Sequence, residues 1–184
     1  MPVEFGSSDT KQVATCCADE PNEAFPAMLS IEIPGRGGYA LARLVIDVNG
    51  TMTEDGDLIA GVKERFVRLQ RELELVMVTA DTYGRQVAID RELEMEAVRL
   101  EPGKSEAPQK AELVRRLGSD ATVAIGNGAN DALMLKEAAI GIAVIGPEGA
   151  SAAVLQSADV VTRSILDALD LLRYPRRLVA TLRQ

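Results

Sequence analysis

The sequence predicts an α/β protein built on a doubly wound, mostly parallel sheet. Two observations carry this reading. From about residue 41 the chain alternates strand-like and helix-like segments, as strands joined by helical crossovers do. Its principal strand, Leu44-Val45-Ile46, is a continuous apolar run without polar alternation, the pattern of a strand covered on both faces.

Residues 1–27 mix Gly, Ser, Asp, Cys, Pro and Glu without period and read as a loosely ordered arm, leaving residues 28–184 as a single domain. Leu29-Ser30-Ile31-Glu32-Ile33 alternates apolar and polar, Pro34-Gly35-Arg36-Gly37-Gly38 breaks it, and Tyr39-Ala40-Leu41 follows, which is a hairpin signature. The glycine-rich break precedes the principal strand instead of joining a strand to a helix, so it reads as a turn and not as a phosphate loop. Leu58, Val62, Phe66 and Leu69 recur at spacings of three and four, one stripe of an amphipathic helix. A second strand spans 73–79, a helix 83–93 and a short strand 97–100, before Pro102-Gly103 interrupts the chain. A helix over 109–117, a third long strand over 121–126 and a helix over 130–138 follow. Short strands at 140–145 and 158–161 and two closing helices within 164–182 complete the domain.

The composition narrows the chemistry. With 184 residues, 47% of them hydrophobic, the chain builds one domain with a sizeable core. Its net charge of −8 and dispersed basic residues argue against a nucleic-acid partner. The absence of histidine removes Ser-His-Asp and Cys-His catalysis and most zinc chemistry. Cys16 and Cys17 are adjacent, which offers neither a disulfide framework nor metal-ligand spacing, so a reducing cytoplasm is expected. The first residues lack a secretory pattern and no apolar stretch approaches the roughly 20 residues of a bilayer span, so no membrane partner is expected.

Right-handed crossovers bring the C-terminal ends of parallel strands to one edge, where open α/β sheets bind their ligands. Asp47 ends the first long strand, Thr79 the second, and Asn127, Asn130 and Asp131 follow the third. Such a gathering of carboxylates and amides is costly without a cation, and an all-oxygen set suits magnesium. Each residue also has a local explanation. Asp47 can open a turn, Thr79 can simply end a strand, Asn130 can cap the following helix and Asp131 can favour its first turn. Lys110 is expected on the first turn of its helix, a mildly unfavourable place for a cation unless it neutralises a nearby anion.

Asp47-Val48-Asn49-Gly50-Thr51-Met52-Thr53, Thr79, Lys110 and Gly126-Asn127-Gly128-Ala129-Asn130-Asp131 resemble, in order, the four motifs of the haloacid dehalogenase (HAD) superfamily. The first motif is similar to the Asp-Lys-Thr-Gly-Thr-Leu-Thr of soluble proteins related to the phosphorylation domain of P-type ATPases. Val78-Thr79-Ala80-Asp81-Thr82 and Gly141-Ile142-Ala143-Val144 resemble that group's Thr-Gly-Asp and Gly-Ile-Ala-Met segments. The resemblance spans about residues 41–163 and implies a Rossmann-like fold and a magnesium-dependent phosphohydrolase. It implies that Asp47 attacks phosphorus to form an aspartyl-phosphate. Gly50, Thr51, Thr79 and Ala80 would hold phosphoryl oxygens, and Lys110 would neutralise nucleophile and phosphoryl group. Magnesium would rest on Asp47, the backbone carbonyl of Asn49, Asn127 and Asp131.

Two positions depart from the family pattern. Asn49 stands where family phosphatases usually carry an acid that protonates the leaving group, and an amide cannot do this; such help is typically worth ~10² to 10⁴ in rate. Asn127 replaces a metal-binding aspartate, which lowers the charge offered to magnesium. The gaps between Asp47 and Thr79 and between Thr79 and Lys110 are too short for a cap domain, so a capless, open site is expected, covered by a second copy in a homo-oligomer or by the N-terminal hairpin. The substrate class implied is a phosphorylated small molecule. Asn49 and Asn127 also admit a low-turnover phosphate- or metal-binding regulatory module on the same fold.

Overall fold

β-Branched and aliphatic residues set the central layer. In the computed structural model, which describes residues 28–81 and 84–184, strand β3 (Arg43–Asp47) buries Leu44, Val45 and Ile46 completely. The arm expected over residues 1–27, Cys16, Cys17, Thr82 and Tyr83 lie outside the described residues.

Ahead of β3, β1 (Leu29–Ile33) and β2 (Gly37–Leu41) form the expected antiparallel hairpin, with Leu29 opposite Leu41. After β3 come β4 (Thr53–Glu54), β5 (Asp57–Leu58), α1 (Val62–Leu69), β6 (Glu74–Thr79), α2 (Gln86–Leu93) and β7 (Val98–Arg99). Then follow α3 (Glu106–Leu117), β8 (Thr122–Gly126), α4 (Ala132–Glu137), β9 (Ile140–Val144), α5 (Ala152–Ser157), β10 (Val160–Thr162), α6 (Ile165–Arg173) and α7 (Pro175–Leu182). The six-stranded sheet runs β10-β9-β8-β3-β6-β7, with every neighbouring pair parallel. Its order reverses at β3, and Ile46 stands level with both Met77 and Ile125, so the strand ends carrying Asp47, Thr79 and Gly126 meet at that switch point.

The two-residue period of a strand sorts the core into two layers. Leu44, Ile46, Met77, Ile125 and Ile142 pack with Val62 and Phe66 of α1 and Leu169 of α6. Val45, Val78, Ala124 and Ala143 pack on the other face with Leu113 and Val114 of α3 and Met134 of α4. Asp47 follows Val45 by two residues and so projects toward the α3 face, which decides its partners.

Several expectations shift. Leu58 does not belong to the α1 stripe; it pairs with Thr53 in a small antiparallel hairpin, β4–β5. The cause is Asp55-Gly56, with φ of 53° and 82°, a two-residue turn whose positive φ values match the strand twist. Helix α3 starts at Glu106, ahead of the expected residue 109, because Pro108 falls in its first turn, where the missing N–H costs nothing. Lys110 consequently lies in the second turn, not the first. Only the β4–β5 hairpin and α1 separate Asp47 from β6, and only α2 and β7 separate Thr79 from α3, so the described residues contain no cap domain.

Candidate active site

The loop after β3 is wound on a single carbonyl. Val48 O accepts hydrogen bonds from the amides of Thr51 (3.3 Å), Met52 (2.9 Å) and Thr53 (3.2 Å), and from the Thr53 hydroxyl at 3.1 Å. Gly50 permits this winding with φ of +74°, and a Cβ there would also stand 2.8 Å from Asn127 Nδ2. The coil turns Thr51 back toward the strand end: its hydroxyl lies 3.2 Å from Asp47 Oδ2 and 3.0 Å from Asn127 Oδ1. One proton serves one of these acceptors at a time.

Lys110 is the centre of the buried charge. It is 1% exposed, and its Nζ donates to Asp47 Oδ1 at 2.6 Å and to Asp131 Oδ1 at 2.7 Å. Asp131 is fully buried, and its second oxygen accepts the amides of Asn127 (3.0 Å) and Gly128 (2.8 Å). Space for that carboxylate comes from Gly126, where a Cβ would lie 2.5 Å from Asp131 Cγ. Asn130, expected as a helix cap, instead donates its side-chain amide to Glu106 on α3.

The cluster of two carboxylates and one ammonium keeps a net negative charge out of water. Burial drives the Asp47 carboxyl up, and the charge of Asp131 adds to this against the opposing pull of Lys110 and Thr51, leaving its pKa at about 7. Burial draws the Lys110 ammonium down, but the two carboxylates outweigh it and its pKa is raised. A further cation would relieve this imbalance.

Thr79, fully buried at the end of β6, accepts two hydrogen bonds on its hydroxyl, from Asn49 Nδ2 at 3.2 Å and from the Asp81 amide at 2.8 Å. Both acceptor positions of a hydroxyl are then in use, so its proton is free to point at an incoming oxygen. Ala80, the next residue, is exposed at the mouth.

The structure brings Asp47, Asn49, Gly50, Thr51, Thr79, Lys110, Asn127 and Asp131 to one end of the sheet. Among the described residues, no group of three or more acidic, histidine or cysteine side chains is arranged to hold a metal ion. The donors that fit a hard cation are therefore mixed: the Asp47 carboxylate, the Asn127 amide oxygen and the Asn49 carbonyl, all oxygen atoms beside a cluster of net charge −1. Sequence reasoning missed Glu148. It follows β9 at the same sheet edge, and its Oε1 accepts the Asp55 amide at 3.1 Å. The strand-end rule that gathered the other residues applies equally to the loop Gly146-Pro147-Glu148-Gly149.

A family model described as haloacid dehalogenase-like hydrolase matches residues 95–167, which hold Lys110, Asn127 and Asp131. The match agrees with the ordered motifs and the sheet order in likening the chain to haloacid dehalogenase-like hydrolases. An uncharacterized protein of Methanocaldococcus jannaschii is 56% identical over 61 residues, which is 33% of this chain and 66% of that relative, just under two thirds of its length. The cobalt-bound deoxy-D-mannose-octulosonate 8-phosphate phosphatase of Haemophilus influenzae has the same fold, with a TM-score of 0.60 and 14% identity over 78% of this chain and 94% of that one. A zinc-transporting PIB-type ATPase in its E2.Pi state is 27% identical over 67% of this chain but only 20% of its own, with a TM-score of 0.50.

Proposed function

We propose that this chain is a capless, magnesium-dependent phosphohydrolase that works through an aspartyl-phosphate on Asp47. The observation that carries this reading is the buried bridge from Asp47 through Lys110 to Asp131, set beside a Thr79 hydroxyl that accepts from Asn49 and from the Asp81 amide. An Asp47 oxygen attacks phosphorus, the bond to the leaving oxygen breaks, and water then cleaves the acyl phosphate to return the carboxylate. Thr51, Thr79 and the backbone at Gly50 and Ala80 receive the phosphoryl oxygens, and Lys110 offsets charge on nucleophile and phosphoryl group. Asp47, the Asn49 carbonyl and Asn127 would hold magnesium, which supplies charge stabilisation on the phosphoryl oxygens when bound. Asp131, whose oxygens accept Lys110 and the backbone amides of Asn127 and Gly128, would anchor the lysine and the Asn127 loop, and the lone pair left on its Oδ1 keeps it a candidate for the metal as well.

Asn49 cannot donate a proton, so the leaving group takes its proton from water and substrates with good leaving groups turn over fastest. The substrate is a phosphorylated small molecule reached through an open mouth. Among the described residues no helix is long and apolar enough to cross a membrane, and a cytoplasmic setting fits the adjacent cysteines. With no cap, a homo-oligomer that covers the mouth fits best, and a solution mass showing monomer alone removes that part. A panel of phosphorylated compounds, with and without magnesium, tests the whole on the native protein and Asp47→Asn. Phosphate release that needs magnesium and vanishes in Asp47→Asn is expected; equal release by Asp47→Asn overturns the assignment. Asn49 and Asn127 favour a second reading, a low-turnover phosphate-binding module, which gains if only Asn49→Asp releases phosphate.

A further inference from the structure

Glu148 reaches the nucleophile loop from an element that the reading above leaves unused. Its Oε2 would stand 2.9 Å from a Cβ placed on Gly50, and Asn127 Nδ2 would stand 2.8 Å from the same point. The two side chains therefore lean over one face of Gly50. The loop that carries Glu148 is registered on Asn127 by two further bonds: Asn127 Nδ2 donates to Gly149 O at 3.0 Å, and the Ser151 amide donates to Asn127 O at 2.9 Å.

Strand order decides which task this carboxylate can take. β8 and β9 lie on one side of β3 and β6 on the other. The Asn49 side chain turns to the β6 side, where it meets Thr79, whereas Glu148 stands with Asn127 on the opposite side. Glu148 thus stands with Asn127, the place of the missing metal-binding carboxylate, whereas the Asn49 side chain is engaged with Thr79.

We infer that Glu148 is an anionic contributor to the divalent-cation site, restoring charge that Asn127 does not supply. The inference rests on the reading that Asp47 and Asn127 bind magnesium. Standing over Gly50 beside Asn127, Glu148 acts at one remove, by accepting hydrogen bonds from water ligands of the cation. Magnesium dehydrates reluctantly and keeps several waters, so such a partner suits it. Groups that act on a metal through its first ligands typically change affinity by ~10- to 100-fold.

Calorimetric titration with magnesium chloride tests this on the native protein, Glu148→Gln, Asn127→Asp, their double variant and Asp47→Asn. Glutamine keeps an oxygen for the Asp55 amide, so the tie to the β4–β5 hairpin survives while the charge is lost. Glu148→Gln is expected to weaken magnesium binding about tenfold, to unfold at the native temperature without metal, and to have a smaller effect in the Asn127→Asp background. Native-like affinity in Glu148→Gln, with binding lost in Asp47→Asn, overturns the role of Glu148 and leaves the metal site standing. A lower unfolding temperature with unchanged affinity overturns it too, leaving Glu148 a tie between loops. If the native protein binds no magnesium, the underlying reading fails with it.

Discussion

Lys110 crosses from the second turn of α3 to place its ammonium 2.6 Å from Asp47 Oδ1, and both side chains are shut off from solvent. The same ammonium is shared with Asp131 at 2.7 Å. Asp47 is therefore held by a charge and not only by its strand, and the lysine is what makes two neighbouring buried carboxylates tolerable.

Removing that charge leaves two acids facing each other out of water. Lys110→Met is expected to lower stability by about 3–5 kcal/mol at pH 8, the usual consequence of breaking a buried ion pair on one side. The loss should shrink near pH 5, where Asp47 takes up a proton and the repulsion falls. Urea unfolding at the two pH values measures the difference, and equal losses would show that the two acids do not sense one another.

The pH dependence of Asp47 has a definite sign. Its carboxyl titrates near 7 in the folded protein, above its ordinary value of 3.8, so between these limits the folded state holds a proton that the unfolded chain has lost. Stability contributed by this group falls as pH rises through that window and is level above it. Asp47→Asn is accordingly expected to be more stable than the native protein at pH 8, by on the order of a few kcal/mol, with the gap closing toward pH 4. Magnesium should also release protons on binding at pH 6.5, because a cation favours the ionised carboxylate. Thermal unfolding across the range, and calorimetry in buffers of different ionisation heat, check the two parts.

Asn49→Asp introduces the acid that the site lacks, on the Thr79 side where a leaving group departs. Turnover of substrates with poor leaving groups should rise by ~10² to 10⁴. The new carboxylate also removes one N–H that the Thr79 hydroxyl accepts, so KM should rise with kcat. Steady-state kinetics on an alkyl and an aryl phosphate separate these effects; an equal gain on both contradicts leaving-group protonation.

Gly126→Ala probes the support behind the charges. The added methyl would meet Asp131 Cγ at 2.5 Å and must displace a carboxylate that holds Lys110 and two backbone amides. A cost of about 1–3 kcal/mol is expected, as for other overpacked sites, together with loss of phosphate release. Full activity in this variant would show that Asp131 is free to move.

Much of this arrangement was legible in the sequence because it depends on strand ends. Leu44-Val45-Ile46 marked a buried strand, and Asp47, Thr79 and Asn127 follow from the rule that parallel strands deliver their C-termini to one edge. The β4–β5 hairpin was missed because Leu58 fitted a helical spacing, while the Asp55-Gly56 turn that overrides it is a two-residue signal. The resemblance placed Lys110 beside the nucleophile, but the way Asp131 grips that lysine depends on which face of β3 Asp47 points to and on the room left by Gly126, which appear only once the strands are packed. Glu148 went unnoticed for a simpler reason, since a glutamate between Pro147 and Gly149 looks like any solvated turn until its loop is seen lying on Gly50.

The central claim is that Asp47 carries the phosphoryl group. It is tested most directly by mixing the native protein with magnesium and p-nitrophenyl phosphate, quenching in acid within one turnover and mapping peptides by mass spectrometry. A phosphoryl adduct on the peptide containing Asp47, absent in Asp47→Asn, is the predicted result. Nitrophenol release by the native protein with no adduct, and an equal rate in Asp47→Asn, would contradict it.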